Sequence, residues 1–221
     1  MNFVLVPIKA LARGKSRLSE LLSDAQRQTL SQAMLRDVLT QLRHAATVDR
    51  FGVVTSDEAL LEIAQRMGAD AIEEGHPRGL NGAVSVGAEF CLEQDATTLL
   101  VLLSDLPLVT SEDIDLLLCE ATDEPEVILV TCKEGEGTNA LLRTPPLVIP
   151  TRFGGPSLEA HQAQAQEDNV AYRVIEAPRI EFDIDSVEDL KLFAVEPTAT
   201  HTYQALQDLG VLSALRGDST E

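Results

Sequence analysis

Short apolar runs that read as strands alternate with amphipathic stretches that read as helices, and this alternation constrains the fold more than any other feature. Residues 2–8 (NFVLVPI), 51–55 (FGVVT), 98–103 (TLLVLL) and 126–131 (EVILVT) are continuous enough to be strands covered on both faces. A shorter strand fits 69–73. Between them, 24–43 has Leu30, Met34, Val38 and Leu42 on one helical face, and 58–67, 80–94 and 111–121 also read as helices. Thr110 and Asp113 are spaced as a capping box for the last of these. Strand–helix alternation over the first ~130 residues predicts a doubly wound, mainly parallel sheet, with ligands beyond the carboxyl ends of its strands.

After residue 131 the alternation breaks into a Gly- and Pro-rich stretch, 132–157, that reads as an irregular substrate-binding insertion. A helix at 158–166, strands near 172–175 and 180–184 and a helix at 187–193 complete the reading. The expected organisation is one α/β domain over 1–195 and a tail over 196–221 with short helical pieces. Tyr203, Leu206, Leu209, Val211, Leu212 and Leu215 form an apolar stripe in that tail. It can pack on its own domain or on a twin, so monomer and homodimer both stay open.

Charge narrows the function. The net charge is −19, with 36 acidic against 17 Lys and Arg residues, which repels a nucleic-acid backbone. Trp is absent and no basic stripe with interleaved aromatics occurs, so nucleic acid is not an expected partner. No apolar run approaches the roughly 20 residues that cross a bilayer, and the N-terminus reads straight into a strand, so a cytoplasmic protein without membrane partners is expected. The three cysteines lack metal or disulfide spacing and read as small core residues. The four histidines read as surface residues.

Basic residues are nevertheless concentrated at one place. Of only four lysines, Lys9 and Lys15 both lie in VPIKALARGKSRL (6–18), beside Arg13 and Arg17. Its GKS resembles the end of a Walker A loop, but the first glycine of that loop would have to be residue 9, which is Lys. What remains is a cationic loop after the first strand, with amines able to neutralise a triphosphate. In LLVLLSDLP (99–107), Asp105 falls at the end of a buried strand, where a carboxylate needs a cation or a donor and suits Mg²⁺. It also reads as a cap on the Leu106-Pro107 turn. In FDIDSVEDL (182–190), alternation puts Asp183 and Asp185 on one side with Ile184 turned inward. Asp185 is the expected second metal ligand, and Asp185 or Ser186 could equally cap the next helix.

Three further segments carry weaker signals. GLNGA (79–83) opens a helix, and the Asn81 amide can read a base edge or simply cap. EGEGTNALL (134–142) offers close backbone approach before Thr138 and Asn139, or a hairpin turn. RFGGPS (152–157) reads as a helix start with Pro156 at the first helical position, able to hold an anion.

In this order, VPIK…GKSRL, VVTSD (53–57), GLNGA, SDLPLV (104–109), EGTNALL, RFGGPS and FDIDSVEDL resemble the 2-phospho-L-lactate guanylyltransferase family of coenzyme F-420 biosynthesis. The resemblance covers residues 3–193. It implies a Rossmann-like nucleotide-diphospho-sugar transferase fold, shared with the molybdenum-cofactor guanylyltransferases. It also implies transfer of GMP from GTP to 2-phospho-L-lactate, phosphoenolpyruvate or 3-phospho-D-glycerate, with pyrophosphate release. Lys9, Lys15, Asp105 and Asp185 would be catalytic, and Asp105 and Asp185 would hold Mg²⁺. The nucleotide would meet Lys9, Lys15, Gly79, Leu80, Asn81 and Ser104, with Asn81 on guanine. Thr138, Asn139, Gly154 and Ser157 would hold the acid, and a transferase acting on the deazaflavin precursor would take the product. Ser104 replaces a common Ala, GGPS replaces the usual GPGS, and Glu136 adds a negative charge near the acid pocket. The rivals are a nucleotidyltransferase of the same kind with another base or phosphate acceptor, and a non-catalytic GTP-binding subunit.

Overall fold

The structure, a computed structural model, describes residues 1–10 and 15–217. Arg13 and Gly14 of the cationic stretch lie outside the described residues. The strands are β1 (Asn2–Pro7), β2 (Arg50–Thr55), β3 (Asp70–Glu73), β4 (Thr98–Leu102), β5 (Glu126–Thr131), β6 (Thr138–Thr144) and β7 (Ala171–Val174). The helices are α1 (Asp24–His44), α2 (Glu58–Arg66), α3 (Gly79–Glu93), α4 (Ser111–Cys119), α5 (Ser157–Glu167), α6 (Pro178–Glu181), α7 (Val187–Ala194), α8 (His201–Asp208) and α9 (Leu212–Arg216).

The strands form one sheet in the order β3-β2-β1-β4-β6-β5-β7, parallel except for β6, which runs against both neighbours. Every residue of β4 is buried, because helices cover both faces and leave no polar side to alternate with. On one face Val4, Val6, Val53, Leu100 and Leu102 pack with Leu35, Val38 and Leu39 of α1 and Ile114 of α4. On the other, Phe3, Leu5, Leu99, Val101 and Leu141 pack with Val84 and Ala88 of α3 and Ala165 of α5. Gly87 lets α3 sit hard against β1, since a Cβ there would lie 2.5 Å from Leu5 Cδ2. The chain leaves β1 toward β2 and β3 on one side, with β4 on the other. The β1/β4 boundary is therefore the switch point where such sheets bind ligands.

Capping residues end the helices where the sequence places them. Ser23 with Gln26, Thr110 with Asp113, and Ser186 with Asp189 all form capping boxes. The tail packs on its own domain: Leu206 and Leu215 join Leu18, Leu30, Ile184 and Phe193 in a third apolar cluster. Asp37 of α1 accepts hydrogen bonds from His201 N (2.6 Å), Thr202 N (2.9 Å) and Thr202 Oγ1 (2.6 Å), tying α8 down.

Several expectations are corrected. The insertion contains β6, hidden because Thr138, Asn139 and Arg143 break its apolar run. Gly135 and Gly137 belong to the β5–β6 hairpin turn. The strand expected at 180–184 is the single turn α6 followed by an extended connector. Pro178 opens that turn, and Ala177 O accepts from the N–H groups of Ile180 (2.8 Å) and Glu181 (2.9 Å). Pro156 is the cap of α5, not its first residue. Cys119 is exposed, whereas Cys91 is buried as expected. His161 is fully buried rather than on the surface.

Candidate active site

Three carboxylates converge beyond the switch point. One oxygen from each of Asp105, Asp183 and Asp185 lies within 4.8 Å of the others. Asp105 follows β4, and its backbone carbonyl accepts from Ile184 N (3.1 Å), which joins the two acidic loops. Ile184 turns into the core, so its neighbours Asp183 and Asp185 both turn to the acidic cluster as alternation requires. The 182–186 connector is pinned from several sides. Asn139 Nδ2 donates to Asp183 Oδ1 (3.1 Å) and to the carbonyls of Ile180 (3.0 Å) and Glu181 (3.2 Å). Asp189 Oδ2 accepts from Asp185 N (2.9 Å) and Ser186 N (2.7 Å), while its other oxygen pairs with Lys133. Arg179 grips both oxygens of Asp113 at 2.6 Å and holds α6 on the start of α4.

Lys15, at φ +51, reaches into this cluster. Its ammonium bonds Asp105 Oδ2 and lies 2.6 Å from Asp185 Oδ1. Burial opposes the charge of Lys15, but the two carboxylates outweigh it and raise its pKa. Burial likewise pushes Asp185 up, and the Lys15 charge and hydrogen bond hold it below the usual range. Asp183 gains no such partner. Burial first, then repulsion from Asp105, pushes its carboxyl up to about 6. Asp105 Oδ1 is buried and, among the described residues, has no hydrogen-bond partner. A hard divalent cation fits this donor set, because it would satisfy that orphaned oxygen and relieve the repulsion at Asp183.

The cluster opens on a cleft of about 380 Å³ whose lining includes Lys9, Lys15, Arg17, Ser104, Asp105 and Asp185. Leu80 lines it as well, next to Gly79 at the start of α3. Lys9 is exposed beside the end of β1. The sequence had left Asp183 open, and it is the third member of the cluster. Its signal was the i, i+2 spacing with Asp185.

Other candidates stand outside the cleft lining. Asn81 uses its amide on backbone: Nδ2 donates to Phe153 O and Oδ1 accepts from Phe153 N, both at 2.8 Å. In this geometry neither end faces a base, and Asn81 ties α3 to the 151–157 segment. Asn139 positions Asp183 instead of facing the cleft. Thr138 and Ser157 are buried and bonded to each other at 3.2 Å. His161 Nε2 accepts from Arg152 N (2.8 Å), so its Nδ1 carries the proton and donates to Thr138 Oγ1 (3.1 Å). Burial pushes His161 down to about 4, so it is neutral at physiological pH. Gly154, at φ +104, is exposed in the turn before α5 and takes a backbone shape that favours glycine.

The pKa of Asp183 makes a prediction. The native state binds its proton more tightly than the unfolded chain, so this group contributes stability at low pH that is lost as pH rises through about 6. Asp183→Asn should therefore stabilise the metal-free protein by on the order of 1–3 kcal/mol near neutrality. The gain should shrink at about pH 5 and vanish near the ordinary Asp pKa of about 3.9. Urea unfolding at these pH values checks it, and an unchanged difference across the series would contradict it.

A parallel sheet with one reversed strand, carrying carboxylates and lysines at its switch point, is an α/β fold shaped to hold a charged ligand. Solved structures agree on the fold. A protein from Desulfovibrio desulfuricans assigned as a nucleotide-diphospho-sugar transferase superposes with a TM-score of 0.74 at 14% identity, covering 100% of this chain and 99% of that one. A nucleotidyl transferase from Methanothermobacter thermautotrophicus gives 0.65 at 15% identity, covering 87% and 95%. The chain belongs to the family described as guanylyl transferase CofC like, which it matches over residues 2–220. It is 41% identical to a phosphoenolpyruvate guanylyltransferase of Rubrobacter xylanophilus, over 85% of this chain and 91% of the relative. It is 33% identical to a 2-phospho-L-lactate guanylyltransferase of Methanothermobacter thermautotrophicus, over 93% and 89%. Identity to a 3-phospho-D-glycerate guanylyltransferase of Colwellia psychrerythraea is 34%, over 87% and 90%. Among the described residues, no helix is long and apolar enough to cross a membrane.

Proposed function

We propose that this guanylyltransferase joins the GMP moiety of GTP to a small phosphorylated acid and releases pyrophosphate, as a step of coenzyme F-420 biosynthesis. Phosphoenolpyruvate is the acceptor favoured by the relative at 41% identity. The observation that carries the reading is the convergence of Asp105, Asp183 and Asp185 on Lys15 at the sheet's switch point. Asp105, Asp183 and Asp185 are the residues that would hold Mg²⁺. Bound there, the ion supplies charge neutralisation and polarisation of the phosphate oxygens.

No histidine or serine nucleophile is needed. A phosphate monoester is already anionic, so its oxygen attacks the α-phosphorus once the two charged partners are brought together. The work of the chain is therefore positioning and electrostatics. Lys9 and Arg17, exposed at the cleft, attract the triphosphate, and Lys15 turns from the carboxylates to the phosphate that reacts. Asn139, Lys133 and Asp189 hold the acidic connector still, so its carboxylates need no reorganisation during the reaction. Gly154 lies in the wall for the acid, and the buried Thr138–Ser157 pair backs it. The Leu158 N–H to Glu136 O bond (3.0 Å) joins the hairpin to the start of α5 and fixes that wall. The product, an anhydride, passes to the transferase that acts on the deazaflavin precursor.

Pyrophosphate release with GTP, CTP, UTP or ATP against each of the three phospho-acids tests this. The expected result is turnover with GTP and strongest with phosphoenolpyruvate. Preference for another nucleotide would change the base, and tight GTP binding without pyrophosphate release would make the protein a non-catalytic subunit.

A further inference from the structure

Arg143 is buried near the end of β6, between Leu99 of β4 and Val127 of β5, and is 2% exposed. Burial lowers its pKa only to about 10, so the guanidinium stays charged at neutral pH. Nη1 donates to the Ile149 carbonyl at 3.0 Å, while Nε and Nη2 are buried with no partner among the described residues. Those two N–H groups lie parallel on one edge of the planar group, the edge that takes a carboxylate or phosphate in two bonds. Among the described residues no carboxylate forms an ion pair with Arg143. Its neighbour Cys91 is a neutral thiol, which burial pushes up to about 12. Asp70 is already held by Arg50 through both oxygens, at 2.8 and 3.1 Å.

Beside this charge lies a cavity of about 390 Å³, between α3 and the 147–151 segment, lined in part by Asn81, Ser85, Arg143 and Thr151. Among the described residues it shares none of those that line the active cleft. We propose that this cavity binds a small oxyanion, a phosphate or a carboxylate, on the Nε/Nη2 edge of Arg143, with the Ser85 and Thr151 hydroxyls along its sides. A water could accept one hydrogen bond there but would leave the buried charge uncompensated. Arg143 lines the cavity while its Nε and Nη2 are closed to solvent, so the anion enters as the 147–151 segment, with Leu147 51% exposed, moves aside. That segment runs into Phe153, bonded to Asn81, and on to Gly154 and Ser157. An anion at Arg143 therefore stiffens the loop that leads into α5.

Calorimetric titration of the full chain in an anion-poor buffer tests this, with inorganic phosphate in one arm and acetate in the other. The expected result is saturable binding in the wild type and in Lys9→Ala, weakened about tenfold or more in Arg143→Met and in Ser85→Leu, which fills the cavity from an exposed helix position. The arm that binds tighter identifies the anion. Tm should rise by about 5–10 °C at a hundredfold excess over Kd in the wild type, and not in Arg143→Met. Without anion, Arg143→Met should melt no lower than the wild type, because it removes an unpaired buried charge. Absence of saturable binding overturns the proposal, as does binding lost in Lys9→Ala but kept in Arg143→Met. Arg143→Met melting well below the wild type, with no anion dependence in either protein, would make Arg143 a strut on Ile149 and overturn it too.

Discussion

Asp105→Asn is expected to lower guanylyl transfer by about 10³-fold or more while leaving the protein folded. The substitution keeps the shape of the side chain and the backbone bond from Ile184 N to Asp105 O, which joins the two acidic loops. It removes the negative charge whose buried Oδ1 has no partner among the described residues. Fold should therefore survive and charge neutralisation should not. Initial rates of pyrophosphate release with GTP and Mg²⁺, beside an unfolding curve for each protein, check both halves. Near-normal turnover would take Asp105 out of the reaction and leave it as a cap on the Leu106-Pro107 turn.

Lys15→Met should have two effects of opposite sign. Turnover should fall by roughly 10²–10³-fold, since a cation aimed at the reacting phosphate is lost. Divalent-cation binding without nucleotide should strengthen, because the Lys15 ammonium now bonds Asp105 and Asp185 and competes for the same oxygens. Titration with Mn²⁺ in the absence of nucleotide reads the second effect independently of catalysis. Weaker Mn²⁺ binding in Lys15→Met would mean that Lys15 organises the carboxylates and does not stand in for the ion. The competition also gives a physical reason for metal and nucleotide to arrive together: the triphosphate offers Lys15 another partner as the ion takes its place.

The parts of this fold that were legible in the chain are those written in local periodicity. The runs at 2–8 and 98–103 could only be covered strands, and the capping boxes at Thr110 and at Ser186 mark helix starts within a residue. β6 was not legible, because a buried strand holding Thr, Asn and Arg depends on distant partners to satisfy them. Asn139 needs the carbonyls of α6 and the carboxylate of Asp183, and His161 needs Arg152 N and Thr138. Such pairings cross between 9 and 44 residues and leave no trace in spacing. The same holds for Asn81, whose amide suits a base edge as well as a backbone until Phe153 is seen beside it.

Sequence alone determined the alternation of layers, the acidic end of β4, the cluster of scarce lysines and the i, i+2 pair at Asp183 and Asp185. These follow from the polarity of near neighbours, which the chain carries wherever it goes. Tertiary structure decided which of those groups meet. Reversal of β6 brings Asn139 to Asp183, and the connector after α6 carries Asp183 and Asp185 to Asp105 across 78 and 80 positions of sequence. Convergence of charge at that range is fixed by the packing of the whole sheet, because only a rigid core holds three carboxylates and an ammonium together against their cost of desolvation.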